Sequence, residues 1–332
     1  MRPSAIFKRL DLSKWGAIFT SLALLCSGPV ARAADHVNFG LDWRAEAEYG
    51  GYYQALATGI YNHYGLDVTI RQGGPQVNQA QALLTGRLDL DLASNSYLAL
   101  NLVQQQIPFR AVAAFFQKDP SVLIAHKGQK HDNFQELVGV PIMIGADTRA
   151  GWWNFLRARY GYSDSQIRPY DFSLAPFLAD LKAVQEGYLG SEPYLIQQQT
   201  GHAPVVLSIA DAGFSGYGSL LVASDKMIAA QPDVISRFIA ASRDGWVSYL
   251  NGDPTPGNRL IKLDNPDMTD GLLDYGRAVL RAHAIVQPPL GKIGLMSDER
   301  WGNFFRSMAA TGLYPASLDW HQAYTLRFVS SP

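Results

Sequence analysis

From Val37 onward the apolar residues switch repeatedly between a period of two and a period near 3.6, which limits the chain to folds built from alternating strands and helices. Val37 to Leu41 reads as a strand, Gly51 to Tyr64 as a helix, and Leu66, Val68 and Ile70 alternate as a second strand. Val77, Ala80, Leu83 and Leu84 mark a helix closed by Gly86. Leu88, Leu90 and Leu92 then alternate, Tyr97 to Gln105 reads as a helix, and Phe109 to Phe116 reads as a strand. A second run begins near Asn133 with a short helix, the strand Val140 to Ile144 and a helix from Gly151 to Tyr160. The segment "APFLADLKAVQEG" is predicted to be helical, with Phe177, Leu178, Leu181 and Val184 on one face, and "SEPYLIQQQTG" and the strand Pro204 to Ser208 complete the run. From Leu220 the chain turns mainly helical, with Pro232 at a first helical position. This order predicts largely parallel sheets covered on both faces, and its length predicts two lobes rather than one core.

The first residues carry a different signal. Arg2, Lys8, Arg9 and Lys14 accompany an apolar stretch from Trp15 to Cys26, and Ala31-Arg32-Ala33 offers a small-x-small cleavage site. Residues 1–33 are therefore predicted to be a cleavable signal peptide, and the protein to be exported. Leu25 stands before Cys26 where a lipoprotein signal requires a small residue, so no lipid anchor is expected. Cys26 is the only cysteine, and losing it with the signal excludes disulfides, thiolate chemistry and cysteine-bound zinc.

The formal net charge of −1 and the 17% of charged residues, against a usual value of about 25%, speak against nucleic acid or an anionic membrane as partner. The seven histidines, His36, His63, His126, His131, His202, His283 and His321, include no pair spaced by four, so no metal site is expected. In "GFSGYG", Tyr217 stands where a serine nucleophile elbow needs its second glycine, and Gly291-Lys292 lacks the earlier glycine of a phosphate-cradling loop.

Ligands collect at strand ends in an open α/β sheet, where the following helix points free N–H groups into the crevice. The residues there nominate a ligand site of Trp43, Tyr49, Tyr52, Gly73, Ser94, Asn95, Thr148, Arg149, Trp152, Glu192 and Tyr194. Each also has a plainer reading. Tyr52, Leu56, Gly59 and Ile60 share a helical stripe that could pack the core, the pairs Gly50-Gly51 and Gly73-Gly74 could simply make turns, and Glu192 could be a first-turn carboxylate favoured by the helix dipole.

"LDW", "YYQALATGIYNHYGLDVTI", "LLTGRLDLDLAS", "VQEGYLGSEPYLIQQQTG" and "DVISRFIAASRDGW" together resemble the periplasmic solute-binding proteins of ABC importers. The likeness is to the branch shared with thiamine pyrimidine synthase and with nitrate, sulfonate and taurine binders. It implies a two-lobed periplasmic-binding-protein fold (type II) with two crossing strands, near Val122 to Ala125 and Gly218 to Val222. Lobe 1 would comprise residues 34–122 plus 221–332 and lobe 2 residues 123–220, with the ligand between them. It further implies a periplasmic monomer that needs no cofactor, catalyses nothing and hands a small ligand to an importer permease. Members with "LDW" and a "SEPY"-like segment resemble binders of thiamine-precursor pyrimidines. In those, an aromatic wall stacks on the ring and a carboxylate accepts from its amine, roles that fall here on Trp43, Tyr52 and Glu192. The synthases carry a cysteine-rich stretch where this chain has "GFSGYG", and a lysine and histidine near "LDLASNSY" that are absent. An anion binder of the nitrate or sulfonate kind would instead lean on Arg149.

Overall fold

The computed structural model describes residues 33–74, 77, 79–145, 148–149, 151–286 and 293–329. Residues 1–32 of the predicted signal peptide, Cys26 among them, lie outside the described residues. The strands are β1 (Asp35–Gly40), β2 (Leu66–Arg71), β3 (Leu90–Asn95), β4 (Phe109–Phe116), β5 (Ser121–Ala125), β6 (Ile142–Ile144), β7 (Ile167–Pro169), β8 (Val184–Tyr188), β9 (Val205–Ser208) and β10 (Gly218–Ser224). They form two five-stranded sheets, in the orders β2-β1-β3-β10-β4 and β7-β6-β8-β5-β9. Each sheet is parallel except for one inserted strand: β10 runs antiparallel to β3 and β4, and β5 antiparallel to β8 and β9. In each case the odd strand is the one that arrives from the other lobe. The two-lobed α/β architecture is the one expected from the alternating pattern.

The connections between lobes sit a few residues from where the resemblance put them. β5 pairs along its whole length within the second sheet and β10 within the first, so neither strand crosses. Residues 117–120 and 209–217 make the crossings instead. Arg300, from a helix at Asp298–Ala310, holds both: its guanidinium donates to Gln117 O at 2.6 Å, Gly216 O at 2.8 Å and Ser215 O at 3.0 Å, and lies 4.0 Å over the Tyr217 ring. "GFSGYG" is thus hinge, not a nucleophile turn. A cavity of about 400 Å³ opens on this hinge, lined by Gln117, Lys118, Phe214, Arg300 and their neighbours, and takes in none of the residues nominated from the sequence.

One predicted helix is mostly something else. Only Ala175–Ala179 is helical; the carbonyl of Asp180 then accepts Ala183 N–H and its carboxylate accepts Lys182 N–H, a turn that ends the helix. Val184 to Tyr188 follows as β8, and Leu181 is left exposed. The spacing of Phe177, Leu178, Leu181 and Val184 matched a helical period by coincidence.

The aromatic segment after β1 folds as α1 (Gly50–Ala57) and α2 (Ile60–His63), parted by Gly59 at φ +73°. Tyr52 is fully buried among Phe39, Phe115 and Trp246, so it belongs to the core and not to a ligand wall. Tyr61 stacks on Phe238, while Tyr53 and Tyr64 donate to Asp264 and Asp244. Gly50 and Gly51 let α1 lie flush on the long helix Pro232–Asn251: a Cβ at Gly51 would stand 2.2 Å from the Trp246 ring. Alanine would gain up to about 1 kcal/mol of helix propensity, yet forcing a methyl against a fully buried indole costs about 1–3 kcal/mol or more. Gly51→Ala is therefore expected to destabilise the protein, read as a lower denaturant midpoint at unchanged slope.

Candidate functional site

Asp42, the second residue after β1, is the centre of the first lobe's contribution. Its carboxylate accepts Tyr49 OH at 2.9 Å and Ser94 Oγ at 2.5 Å, drawing the ends of β1 and β3 together. The loop around it is pinned from behind. Gly73 N donates to Trp43 O at 3.0 Å, Gln72 Oε1 accepts Ala45 N, and Asn265 donates to Ala45 O. Gly73 has to be glycine here, because a Cβ would stand 2.3 Å from Leu41 O. Asn95 is used in structure as the N-cap of the helix Ser96–Gln104.

The second lobe contributes the end of β8 and the segments beside it. Glu186 Oε1 accepts Gly145 N at 2.9 Å. Glu192 opens the helix Glu192–Thr200, and its Oε2 accepts Tyr188 N at 2.6 Å and Ser191 Oγ at 2.7 Å. Tyr170 packs on Phe172, and Gln185 Nε2 donates to Tyr170 OH at 3.3 Å.

Contacts among the described residues join the lobes. Trp43 meets Phe172 with ring centroids 4.5 Å apart. Tyr194 reaches across to Tyr275, on the helix Asp270–Ala282, at 5.2 Å. Glu48, only 2% exposed, lies so close to Gly190 that a Cβ there would stand 2.1 Å from Glu48 Oε1, an oxygen with no hydrogen-bond partner among the described residues. The cleft is closed in this structure.

The electrostatics are one-sided. Glu46, half-buried, is held well above the carboxylate range by burial and then by the charges of Glu48, Glu192 and Asp42, with Arg44 opposing. Burial pushes the Glu48 carboxyl up to about 7, and the charge of Glu192 adds to it. Asp91, 4% exposed, is pushed up to about 8 by burial and then by Asp42, and burial likewise raises Asp119 and Glu192. The charges acting on Glu48, Asp91 and Asp119 are all negative. Tyr188 is raised by burial and then by Asp119, Asp42, Glu46 and Glu48, which puts its hydroxyl within the field of both lobes and the hinge.

Of the residues nominated from the sequence, Trp43, Tyr49, Ser94 and Glu192 come together around this interface. Tyr52 does not, Tyr194 turns toward Tyr275, Trp152 is buried at the start of the helix Trp152–Tyr160, and Arg149 is exposed while Thr148 is half-buried. The sequence reading missed Asp42, Glu46, Glu48, Tyr170, Phe172 and Tyr188. Asp42, Glu46 and Glu48 had a visible signal, three carboxylates within one strand-end loop. Among the described residues no group of histidine and carboxylate ligands could hold a metal ion.

The profile of NMT1/THI5-like proteins matches residues 46–255, well over half of the chain. The protein belongs to the NMT1/THI5-like family. This NMT1/THI5-like protein is similar to the riboflavin-binding protein RibY of Chloroflexus aurantiacus, 24% identical over 303 residues, which cover 88% of this chain and 86% of RibY. Among solved structures it is similar to the periplasmic aliphatic sulphonate-binding protein SsuA from Escherichia coli (TM-score 0.65, 13% identity, 90% of this chain and 94% of that one). It is also similar to the desulfurization enzyme DSZB (TM-score 0.55, 12% identity, 89% of this chain and 97% of that one). At such identities the two structures establish the periplasmic-binding-protein fold and nothing finer.

Proposed function

We propose that the protein is the periplasmic solute-binding component of an ABC importer, and that its cleft takes a flat, nitrogen-containing aromatic ring that carries hydrogen-bond donors and is neutral or cationic. The observation that carries this reading is the gathering of Asp42, Glu46, Glu48 and Glu192 where the lobes meet, with charges that reinforce one another and Arg44 opposing at Glu46, together with the Trp43 ring, which meets the other lobe at Phe172. Carboxyl and carboxylate oxygens accept from amine or hydroxyl donors, and a ring face offers stacking worth about 0.5–1.5 kcal/mol beyond burial. A thiamine-precursor pyrimidine and a flavin both meet that description. The likeness to RibY supports the second, and the family supports the first. An anionic sulfonate does not meet it, since burying a further negative charge among these groups would be strongly unfavourable. The fold shared with SsuA is compatible with either ligand.

Native mass spectrometry of freshly exported protein, followed by titration with riboflavin, an aminopyrimidine and an alkanesulfonate, tests the reading. A ring compound should be retained or bound and the sulfonate ignored. Sulfonate binding that is lost in Arg149→Ala would overturn it. Within the reading, Glu192→Gln keeps an acceptor for Tyr188 N while removing charge. A hydrogen bond to a charged group contributes about 1.5–3 kcal/mol, so affinity for an amine-bearing ring should fall on the order of tenfold or more, by calorimetry, with the ligand-free melting temperature little changed.

A further inference from the structure

Both chain crossings are anchored at each end, and the anchors leave one point between them in each. On the lobe 1 side, Gln117 N donates to Ile285 O at 2.6 Å, and its Nε2 donates to Ala114 O at 2.9 Å and Leu295 O at 2.8 Å. Tyr217 N donates to Ser96 Oγ, Tyr217 O accepts Ser96 N, and the Tyr217 hydroxyl accepts Ser297 N. On the lobe 2 side, Leu189 N donates to Pro120 O, Ile209 N to Ser121 O, and Phe214 N turns back to Ile209 O. Between the two sets of anchors lie Lys118 in the first crossing and the Phe214–Ser215 link in the second. The cavity of about 400 Å³ opens at this place, with Lys118, Phe214 and Ser215 in its wall, and gives these backbones room to turn. Phe214, 1% exposed, lies edge-on to Phe304 of lobe 1 at 5.3 Å and against Phe155 of lobe 2 at 5.6 Å. It is an apolar bearing, whose attraction has no fixed direction to lose on rotation.

We propose that the lobes rotate about Lys118 and the Phe214–Ser215 link, and that Arg300 is a positioning residue which, by fixing both crossings to lobe 1, sets the cleft's affinity for a ligand it never touches. This rests on the reading that the protein holds its ligand between the lobes. Hinge rotation is absorbed by a few residues whose backbone turns. The carbonyls of Gln117, Ser215 and Gly216 cannot turn while one guanidinium holds all three, so rotation is confined to the two points beyond them. Two points define one axis. Closure has to bring Glu48 onto Gly190 and Trp43 onto Phe172 together, and crossings that turned independently would let the lobes twist past that registration. The task suits arginine rather than lysine, since a planar fork spans carbonyls of two segments and a point ammonium does not.

The test measures inter-lobe distances by electron–electron double resonance in exported protein carrying Val138→Cys and Leu263→Cys, two exposed positions on opposite lobes. Arg300→Ala and Arg300→Lys should both broaden the distance distribution, with and without riboflavin or an aminopyrimidine as probe. Either variant should also weaken binding of whichever probe the wild type takes by about tenfold, since a productive arrangement populated a tenth of the time lowers apparent affinity in proportion. Arg306→Ala, exposed on the same helix and bonded to Asn303, should change neither. A merely structural arginine would lower the melting temperature and leave the distribution of the folded protein as it was. An unbroadened distribution in both variants, a broadened one at unchanged affinity, or an equal effect from Arg306→Ala would overturn the proposal. Were neither probe to bind wild type, the proposed ligand class would fall, and the ligand-free distributions would still decide for or against Arg300.

Discussion

Gly190→Ala is expected to hold the lobes apart and to weaken ligand binding on the order of 100-fold. Gly190 lies outside the left-handed region, so alanine is conformationally acceptable there; the added methyl would stand 2.1 Å from Glu48 Oε1 and 3.4 Å from the Gly276 Cα. Both neighbours belong to the other lobe. Closure then requires either a displaced Glu48 or an incomplete approach, and a closed state disfavoured by about 3 kcal/mol lowers apparent affinity by roughly that factor. Small-angle scattering of Gly190→Ala should show a larger radius than wild type and little compaction with ligand, while Glu48→Ala added to it should restore much of the compaction. A Gly190→Ala protein that compacts and binds like wild type would show that the Glu48–Gly190 contact plays no part in closure.

The second large effect is on stability against pH. In the folded protein Glu48 titrates near 7 and Asp91 near 8, against ordinary values of 4.5 and 3.8. Between each pair of values the folded protein keeps a proton that the unfolded chain has released. The stability each group contributes is full below its ordinary value and is lost as pH rises through its folded value. Melting temperature should therefore decline from about pH 5 to pH 8. Asp211, Asp253 and Asp319 are shifted the other way, but they are well exposed and their contribution is screened. Glu48→Gln mimics the protonated acid and should flatten the decline, being more stable than wild type at pH 8 by on the order of 3 kcal/mol and close to it at pH 5. An equally steep decline in Glu48→Gln would mean that Glu48 is solvated in the native protein.

The architecture was legible because burial on both faces leaves long apolar runs, as in Phe109 to Phe116, and because helix ends carry their own chemistry, such as Pro232 at the first position of its helix. What misled was local periodicity without its long-range context. β8 looked helical until the Asp180 turn intervened, and with it Tyr188 and Glu186 were lost as site residues. Tyr52 looked available for a ligand because nothing near it in the chain shows that Trp246 and Phe115 enclose it. Glu48 was passed over for the same reason: nothing near it in the chain shows that Gly190 of the other lobe and Gly276 of its own lie against it. Phe172 could not have been nominated from sequence, since the Trp43 ring it meets belongs to the other lobe.

Phe116 and Gly218 are paired neighbours in the β4–β10 ladder, yet the whole second lobe lies between them in the chain. A chain that emerges N-terminus first can therefore finish the inner lobe first: its sheet is complete once Ser208 is out, while the outer sheet still lacks its fourth-ranked strand and exposes the flanks of β3 and β4. The outer lobe is obliged to wait with an unfilled slot in its middle. Paired antiparallel residues lie about 5 Å apart, so a tight turn could splice Phe116 to Gly218 directly, leaving the outer lobe continuous and the inner lobe a separable cassette. In topological terms, the inner lobe is an insertion within one antiparallel strand pair of the outer lobe, and the cleft is the seam between host and insert.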